Sequence, residues 1–475
     1  MKTIFTTFFI LLIFIFGCTK DNQTNDSVTT NLTIFFVNDV HGQIENFSKV
    51  KHIVDAEREK TNVMVVSSGD LFSGNPAIDN YTPKGYPIID IMNQIGFDIA
   101  VLGNHEFDYG IEMLSDRIEQ SQFPWVCANV NTNSSQLTQP PPFATLTIDN
   151  LKITFLGLIE TGGSNSKIIP SSHPGKIDEL TFYRAQNIVT DFKDTKTQED
   201  ADLFIALSHL GIIGFEDNIG DFELAQQNFF FDMIIGGHTH AKVDTTIANI
   251  PVFQAGSYLH SLGKIELTVK NRSIQSVNYN LINLDNYTQH DNELKATIET
   301  YNDLPELKEV IGYSYRYHSR WQLGCFYTDA MRLKMDVDVA FQNTGGIRTG
   351  IDEGNITKRE IYEISPFNNG TIIFEMTVAE IKQFFIGSRS GFYYSGIQIR
   401  KVDGKIEIRD LNNRKIPDNY ILTVGINDYI PAVNDMYFPD NGVVQPLTAA
   451  ETLIAYLTDI NREVDYPGCN RYFRY

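Results

Sequence analysis

The sequence predicts a layered α/β domain, with its functional site at the ends of strands, followed by a second domain. Three observations carry this expectation. Short apolar, β-branched runs in the first half repeatedly end in polar clusters. Helix-patterned stretches alternate with those runs. A chain of 475 residues also exceeds what one hydrophobic core ordinarily serves, so two domains of roughly 150 to 270 residues are expected. With 42% hydrophobic and 20% charged residues, the composition is that of an ordinary folded protein. The formal net charge of -21 excludes a general nucleic-acid-binding surface, which needs a basic field to neutralise phosphates. No nucleic-acid polymer is therefore expected as a partner, and an anionic substrate must be drawn in by local charge such as bound cations.

The chain opens on Lys2, an almost wholly apolar run over residues 4–16, and Gly17-Cys18. That run is too short to span a membrane comfortably. Its ending, Ile15-Phe16-Gly17-Cys18, resembles a bacterial lipobox, in which the cysteine is lipidated after cleavage. Residues 1–18 are thus expected to be a lipoprotein signal peptide and 19–30 a flexible polar tether. The protein would then be an exported bacterial lipoprotein, anchored to a membrane through its N-terminal lipid and facing the periplasm or the cell surface. With Cys18 so used, Cys127, Cys325 and Cys469 cannot all pair within one chain, which excludes a disulfide-dense scaffold. No C-x-x-C pair points to a thiolate metal site, and Cys127 reads as a small buried hydrophobe.

Residues 32–37 read as a strand covered on both faces, ending in Asn38-Asp39-Val40-His41-Gly42. Residues i and i+2 of an extended strand end point the same way, so Asp39 and His41 can converge on one ion. The strand at 63–66 ends in Ser67-Ser68-Gly69-Asp70, where Gly69 lets the backbone approach closely. A helix is expected over 84–97, after which a strand at 99–102 delivers Asn104, His105, Glu106 and Asp108. The same design recurs at 203–207, leading into Ser208-His209, and at 233–235, leading into Gly236-Gly237-His238-Thr239-His240. Residues 252–256 and 262–269 read as closing strands. A single histidine in such a place is ordinarily a satisfied core or surface residue. Here Asp39, His41, Asp70, Asn104, His209, His238 and His240 all follow strand-like runs, and all are oxygen or imidazole donors. That mixture suits two divalent ions such as Zn, Mn, Co or Fe and does not suit a soft-metal site.

At these residues the sequence resembles the calcineurin-like metallophosphoesterases, whose motifs D-x-H, G-D, G-N-H-[ED], an isolated H and G-H-x-H read here, in order, D-V-H, G-D, G-N-H-E, S-H and G-H-T-H. The resemblance implies a four-layer α-β-β-α sandwich. It also implies that Asp39, His41, Asp70 and His240 hold one ion while Asp70, Asn104, His209 and His238 hold the other, with Asp70 bridging. Two such ions activate water and neutralise phosphoryl oxygens as charge develops. His105, uncommitted to metal, is expected to stabilise the transition state or protonate the leaving group. Asp108, three residues on, would orient it.

A polar, helix-compatible connector is expected over 285–310, interrupted by Pro305. This divides a first domain over 31–284 from a second over 311–475. In the second half a strand over 337–341 precedes Gln342-Asn343-Thr344-Gly345-Gly346-Ile347-Arg348. Further on come Ser365-Pro366-Phe367-Asn368-Asn369, Tyr394-Ser395-Gly396 and the run from Asn427 to Asp435. The succession is similar to the C-terminal domain of the 5'-nucleotidases, a family that includes UDP-sugar hydrolases. The resemblance implies an α+β nucleotide-binding domain in which Phe367 and Tyr429 sandwich a base, Asn343 contacts it, Asp435 accepts ribose hydroxyls and Arg348 binds phosphate. Gly396 and Arg320 complete the expected substrate residues. Where the family's loop reads G-G-D-G-[YF], this chain has Val433-Asn434-Asp435-Met436-Tyr437, so a different backbone path or a narrower ribose pocket is expected. The functions implied are a two-metal 5'-nucleotidase, with UDP-sugar or nucleotide pyrophosphate cleavage possible. The alternatives are a 2',3'-cyclic nucleotide phosphodiesterase with 3'-nucleotidase activity, or a catalytically silent nucleotide-binding surface protein.

Overall fold

The computed structural model describes residues 29–475 except Asn165, Glu216 and Arg389. The expected signal peptide, its lipobox cysteine and all but the last two residues of the tether lie outside the described residues. Thr29 and Thr30 belong to the first strand. Among the described residues, no helix is long and apolar enough to cross a membrane.

The first half is built on two six-stranded sheets. One has the spatial order Ser273–Asn283, Ser261–Lys270, Thr29–Val37, Asn62–Ser67, Ile99–Val101, Trp125–Val126, with its last four strands parallel. The other runs Lys242–Ile247, Ile250–Ala255, Met233–Ile235, Leu203–His209, Leu151–Ile159, Phe143–Ile148, with the middle four parallel. Both faces of each central strand are buried, which is why these runs are apolar without a gap. Leu32, Ile34 and Phe36 pack with Phe155, Ile205 and Leu207 between the sheets. Phe35 and Val37 turn outward against the helices Phe47–Arg58 and Tyr86–Ile95. On the far side, Phe204 and Ile234 pack against Leu224 and Ala225 of the helix Asp221–Gln227. The result is four layers, α-β-β-α, with the loops after the parallel strands meeting at one end.

The connector forms a helix at Asn292–Asn302, capped by Asp291, whose carboxylate accepts the Leu294 N–H at 2.8 Å. Its outer face is exposed, as its polar composition suggests. Leu294 and Ile298, four residues apart on one helix face, join the cluster that holds Phe47 and Ile91.

The second half has a six-stranded sheet in the order Val443–Thr448, Gly370–Thr377, Ile421–Asn427, Val339–Asn343, Phe392–Ser395, Tyr472–Phe473. The helix Val378–Gly387 covers one face, and Arg320–Met335 and Ala449–Asp459 lie on the other. Cys325 and Cys469 form a disulfide across a sequence separation of 144 residues. Beside it Arg471 donates to both oxygens of Asp329, each at 2.6 Å, and Tyr466 donates at 3.0 Å. Burial opposes ionisation of Asp329, but the bonds from Arg471 and Ser395 outweigh it and hold the carboxyl below its ordinary value of 3.8. Its ionised form therefore stabilises the fold above that value, and the stabilisation is lost as pH falls through the depressed folded-state pKa. Asp329→Asn is expected to cost about 1–3 kcal/mol at neutral pH. In thermal unfolding, the gap to wild type should narrow as pH falls below the ordinary carboxyl value of 3.8.

Candidate metal centre and substrate cavity

The loops after the parallel strands are laid side by side by continued backbone pairing. Asp39 N–H donates to Gly69 O at 3.0 Å, and His41 N–H to Asp70 O at 3.0 Å. Five of the seven candidate ligands sit in the left-handed region: Asp39 and His41 at φ 51°, Asp70 at 56°, His238 at 81° and His240 at 57°. Non-glycine residues there cost on the order of 1–3 kcal/mol each and persist only where the surroundings over-determine them. Several groups do so here. Asn38 donates to Asp39 Oδ2 and to Gly256 O, each at 2.7 Å, while its Oδ1 accepts from Ala255. Glu106, fully buried, accepts N–H bonds from Asp70, Leu71 and Gly103 at 2.9, 2.6 and 2.6 Å. Gly69, at φ +83°, leaves no room for a side chain, since a Cβ would lie 2.8 Å from Gly103 N and 2.9 Å from His209 Nδ1.

All seven predicted donors meet in one place. Asp39, His41 and His240 form one cluster whose donor atoms lie within 4.8 Å of one another, and Asp70, His209 and His238 form a second. Asn104 joins the second through Oδ1, 3.0 Å from His238 Nδ1. A third grouping of His41, Asp70 and His105 links the two, with His105 Nε2 3.9 Å from Asp70 Oδ2.

The chemistry of these donors fits a pair of cations. His41 Nδ1 faces Ser73 O at 3.2 Å and His209 Nδ1 faces Ser68 O at 2.6 Å. A carbonyl only accepts, so each neutral ring carries its proton there and presents a bare Nε2 inward. The His41 lone pair then meets Nε2 of His240 at 2.8 Å, and that of His209 meets Asp70 Oδ2 at 3.0 Å. His209 Nε2 is buried with no hydrogen-bond partner. Nitrogen and oxygen donors that converge at these separations, without thiolate, suit a hard or borderline divalent ion. The protonic equilibria show the same demand for cations. Burial raises the Asp39 carboxyl to about 7. Burial disfavours charge on His209, yet Asp70 and Asp39 outweigh it and raise the imidazole to about 10. Burial and the Arg348 charge lower His240 to about 4.

His105 occupies the next turn. Its N–H donates to Asp70 Oδ1 at 2.9 Å, and its Nδ1 lies 2.6 Å from Asp108 Oδ2. Burial works against the imidazolium, but Asp70 and Asp108 overcome it and raise the pKa. Above this turn lies a cavity of about 220 Å³ walled by both halves of the chain. Asn343, Arg348, Phe367 and Tyr429 line it from the second half. Arg348 donates to His41 Nε2 at 3.4 Å, and its guanidinium lies 5.5 Å from the Phe367 ring centroid. Phe367 is stacked on His105 at 5.4 Å and 14°. Lys176 ties the halves together by donating to Asp108 O at 2.6 Å and to Phe367 O at 3.3 Å.

Three predicted substrate residues do not line this cavity. Arg320 is exposed at the start of its helix, with its guanidinium 5.0 Å from the Trp321 ring. Gly396 has a structural reason to be glycine: at φ +91°, a Cβ would lie 1.9 Å from Asp338 O. Asp435 is exposed and bonded to its own neighbour, the Met436 N–H, at 2.9 Å. With the family's glycines absent, the chain forms a short helix at Tyr429–Val433 and a turn at Asp435–Tyr437, none of them at positive φ, and this carries the Asp435 carboxylate to solvent. Conversely, Ser171, Ser172 and His173 line the cavity without having been foreseen. Their short polar segment follows no strand and carries no motif. Asn38 and Glu106 stood inside recognised motifs, but their hydrogen-bonding roles depend on tertiary partners.

Two imidazole and carboxylate clusters at strand ends of an α-β-β-α sandwich are the arrangement of a calcineurin-like phosphoesterase. Residues 32–242 match that family and residues 306–437 match the 5'-nucleotidase C-terminal domain. The chain is 29% identical over 457 residues to the trifunctional nucleotide phosphoesterase protein YfkN of Bacillus subtilis, covering 83% of this chain but only 30% of that longer protein. It is 25% identical over 452 residues to the 5'-nucleotidase of Vibrio cholerae, covering 80% of each. The crystal structure of a 5'-nucleotidase precursor from Thermus thermophilus superposes with a TM-score of 0.80 at 20% identity, over 93% of this chain and 98% of that one. The chain belongs to the 5'-nucleotidase family of metallophosphoesterases.

Proposed function

We propose that the protein is a two-metal hydrolase that releases phosphate from nucleoside monophosphates outside the cytoplasm. The observation that carries this reading is the single cavity in which Arg348, Asn343, Phe367 and Tyr429 of the second half face His105, His238 and His240 of the first. Asp39, His41, Asp70 and His240 would hold one ion, and Asp70, Asn104, His209 and His238 the other. The ions would supply an activated water and charge neutralisation at the phosphoryl group. Arg348 binds phosphoryl oxygen, Asn343 contacts the base, and the aromatic walls hold its faces. His105, aimed by Asp108, delivers a proton to the departing oxygen. Water adds to phosphorus as the ester P–O bond breaks, giving a nucleoside and inorganic phosphate.

Two features support an extracytoplasmic site, with a lipid anchor at Cys18. One is the leader sequence, and the other is the Cys325–Cys469 disulfide, since such bonds persist in oxidising compartments. Turnover of AMP, a 2',3'-cyclic nucleotide, UDP-glucose and ATP with added Mn or Zn tests the reading. Strong preference for the cyclic ester would replace it with a phosphodiesterase. Phe367 is already stacked on His105, so Tyr429 is the ring whose removal tests base stacking. Tyr429→Ala is expected to raise KM for AMP by about 10-fold with little change in kcat. Hydrolysis of p-nitrophenyl phosphate, which has no base, should be unaffected.

A further inference from the structure

The bend at Ser73-Gly74 stands against His41 and outside the lining of the substrate cavity. Its Ser73 carbonyl is the acceptor that His41 Nδ1 faces at 3.2 Å. Gly74 packs on the same residue's backbone, since a Cβ there would lie 2.6 Å from His41 O and 3.0 Å from His41 Cβ. Ser73 lies in the left-handed region at φ 62°, and its hydroxyl is buried without a hydrogen-bond partner among the described residues. A bend of that kind persists only where its surroundings hold it. Two side chains do so. The Ser73 N–H donates to Tyr109 Oη at 3.3 Å, and the Gly74 N–H donates to Oδ2 of the buried Asp79 at 3.0 Å. Tyr109 Oη in turn donates to Asp79 Oδ1.

We propose that Tyr109 and Asp79 are a positioning pair that fixes the Ser73 carbonyl against His41 Nδ1, so that His41 offers Nε2 to the ion it would share with Asp39, Asp70 and His240. The inference rests on the ion assignment of the proposed function and adds to it two residues that do not line the cavity. An imidazole presents one bare nitrogen only when the other holds the proton, and the acceptor opposite that proton decides which nitrogen it is. Ser73 O and the Gly74 N–H belong to one planar peptide and point opposite ways. By holding the N–H, Asp79 therefore sets the direction of the carbonyl. Tyr109 holds the preceding N–H and aims the carboxylate. Burial and the Asp79 charge keep the Tyr109 phenol well above its ordinary value, so it remains a donor. Tyr109 also follows Asp108 directly, so the pair joins a ligand of one ion to the turn that carries the partner of His105.

The test is calorimetric titration of Mn into the metal-stripped full chain, where the wild type should bind two ions. Tyr109→Phe removes the hydroxyl and keeps the ring beside Phe72, 5.1 Å between centroids. It is expected to weaken one ion by about 10- to 100-fold, as loss of an outer partner does, and to leave the other within about threefold. Asp79→Asn, whose NH2 replaces one of the two acceptor oxygens, should weaken the same ion by about 10-fold. The Mn concentration that gives half-maximal turnover of p-nitrophenyl phosphate should rise by the same factor in each variant. Added to His240→Ala, which already lacks a ligand of that ion, Tyr109→Phe should change Mn binding little further. Added to Asn104→Ala, which lacks a ligand of the other ion, it should weaken the ion that remains. Equal weakening of both ions by Tyr109→Phe, or Mn binding as in the wild type, would overturn the positioning role. A wild type that binds fewer than two ions would instead remove the ion assignment beneath it.

Discussion

Asp70→Ala is expected to abolish hydrolysis and metal retention together, with activity falling by about a thousandfold or more. Asp70 is the residue on which both clusters depend. Its Oδ2 lies 3.0 Å from His209 Nε2 and 3.9 Å from His105 Nε2, while Oδ1 holds the His105 N–H at 2.9 Å. Burial opposes its charge, but His209 and His105 outweigh burial and hold the carboxyl well below the usual carboxylate range. The alanine variant would remove a carboxylate from both ion sites and also release the turn that carries His105. Asp70→Asn separates these effects, because an amide oxygen can keep the bond to the His105 N–H while losing the charge. Elemental analysis of the purified variants should show less bound metal in both, with circular dichroism unchanged. Full turnover by either variant would refute the bridging role.

The convergence of the seven donors was legible because strand ends are legible. A gapless apolar run announces a strand buried on both faces, and the polar residues that follow must then lie at the sheet's end. That argument places Asp39, Asp70, His209 and His238 together without knowing how the loops fold. It fails where position depends on a loop's path. Asp435 follows a family motif in order but not in backbone, since Val433 and Asn434 cannot trace the route that glycines allow. Arg320 and Gly396 likewise stand at recognisable positions, yet helix geometry leaves one in solvent and turn geometry commits the other to its own backbone. Ser171, Ser172 and His173 carry no pattern at all, because only tertiary packing brings their loop to the cavity. The Cys325–Cys469 pairing spans 144 residues and is fixed by a C-terminal strand too short to show a period. The docking of the connector helix was hidden for a related reason. Two apolar residues on one face are enough to dock it, although its average composition is polar.

His105→Ala separates the two roles left open for this histidine. If it donates a proton to the leaving oxygen, its loss should lower kcat for AMP by about 100- to 1,000-fold, because a ribose alkoxide is a poor leaving group. The loss on p-nitrophenyl phosphate should be only about 10-fold, since that phenolate departs without protonation. If instead His105 stabilises charge on the phosphoryl group, both substrates should suffer alike. The structure favours the donor role. The 2.6 Å contact with Asp108 fixes Nδ1 and leaves Nε2 facing the cavity, where a proton can be passed to a leaving oxygen. Asp108→Asn should then reproduce part of the His105→Ala defect on AMP and little of it on the aryl ester. Lys176 holds the Asp108 carbonyl at 2.6 Å, so the backbone of that turn should stay in place and the defect can be read as loss of the carboxylate alone. An Asp108→Asn variant with equal losses on both esters would assign the pair to charge stabilisation instead.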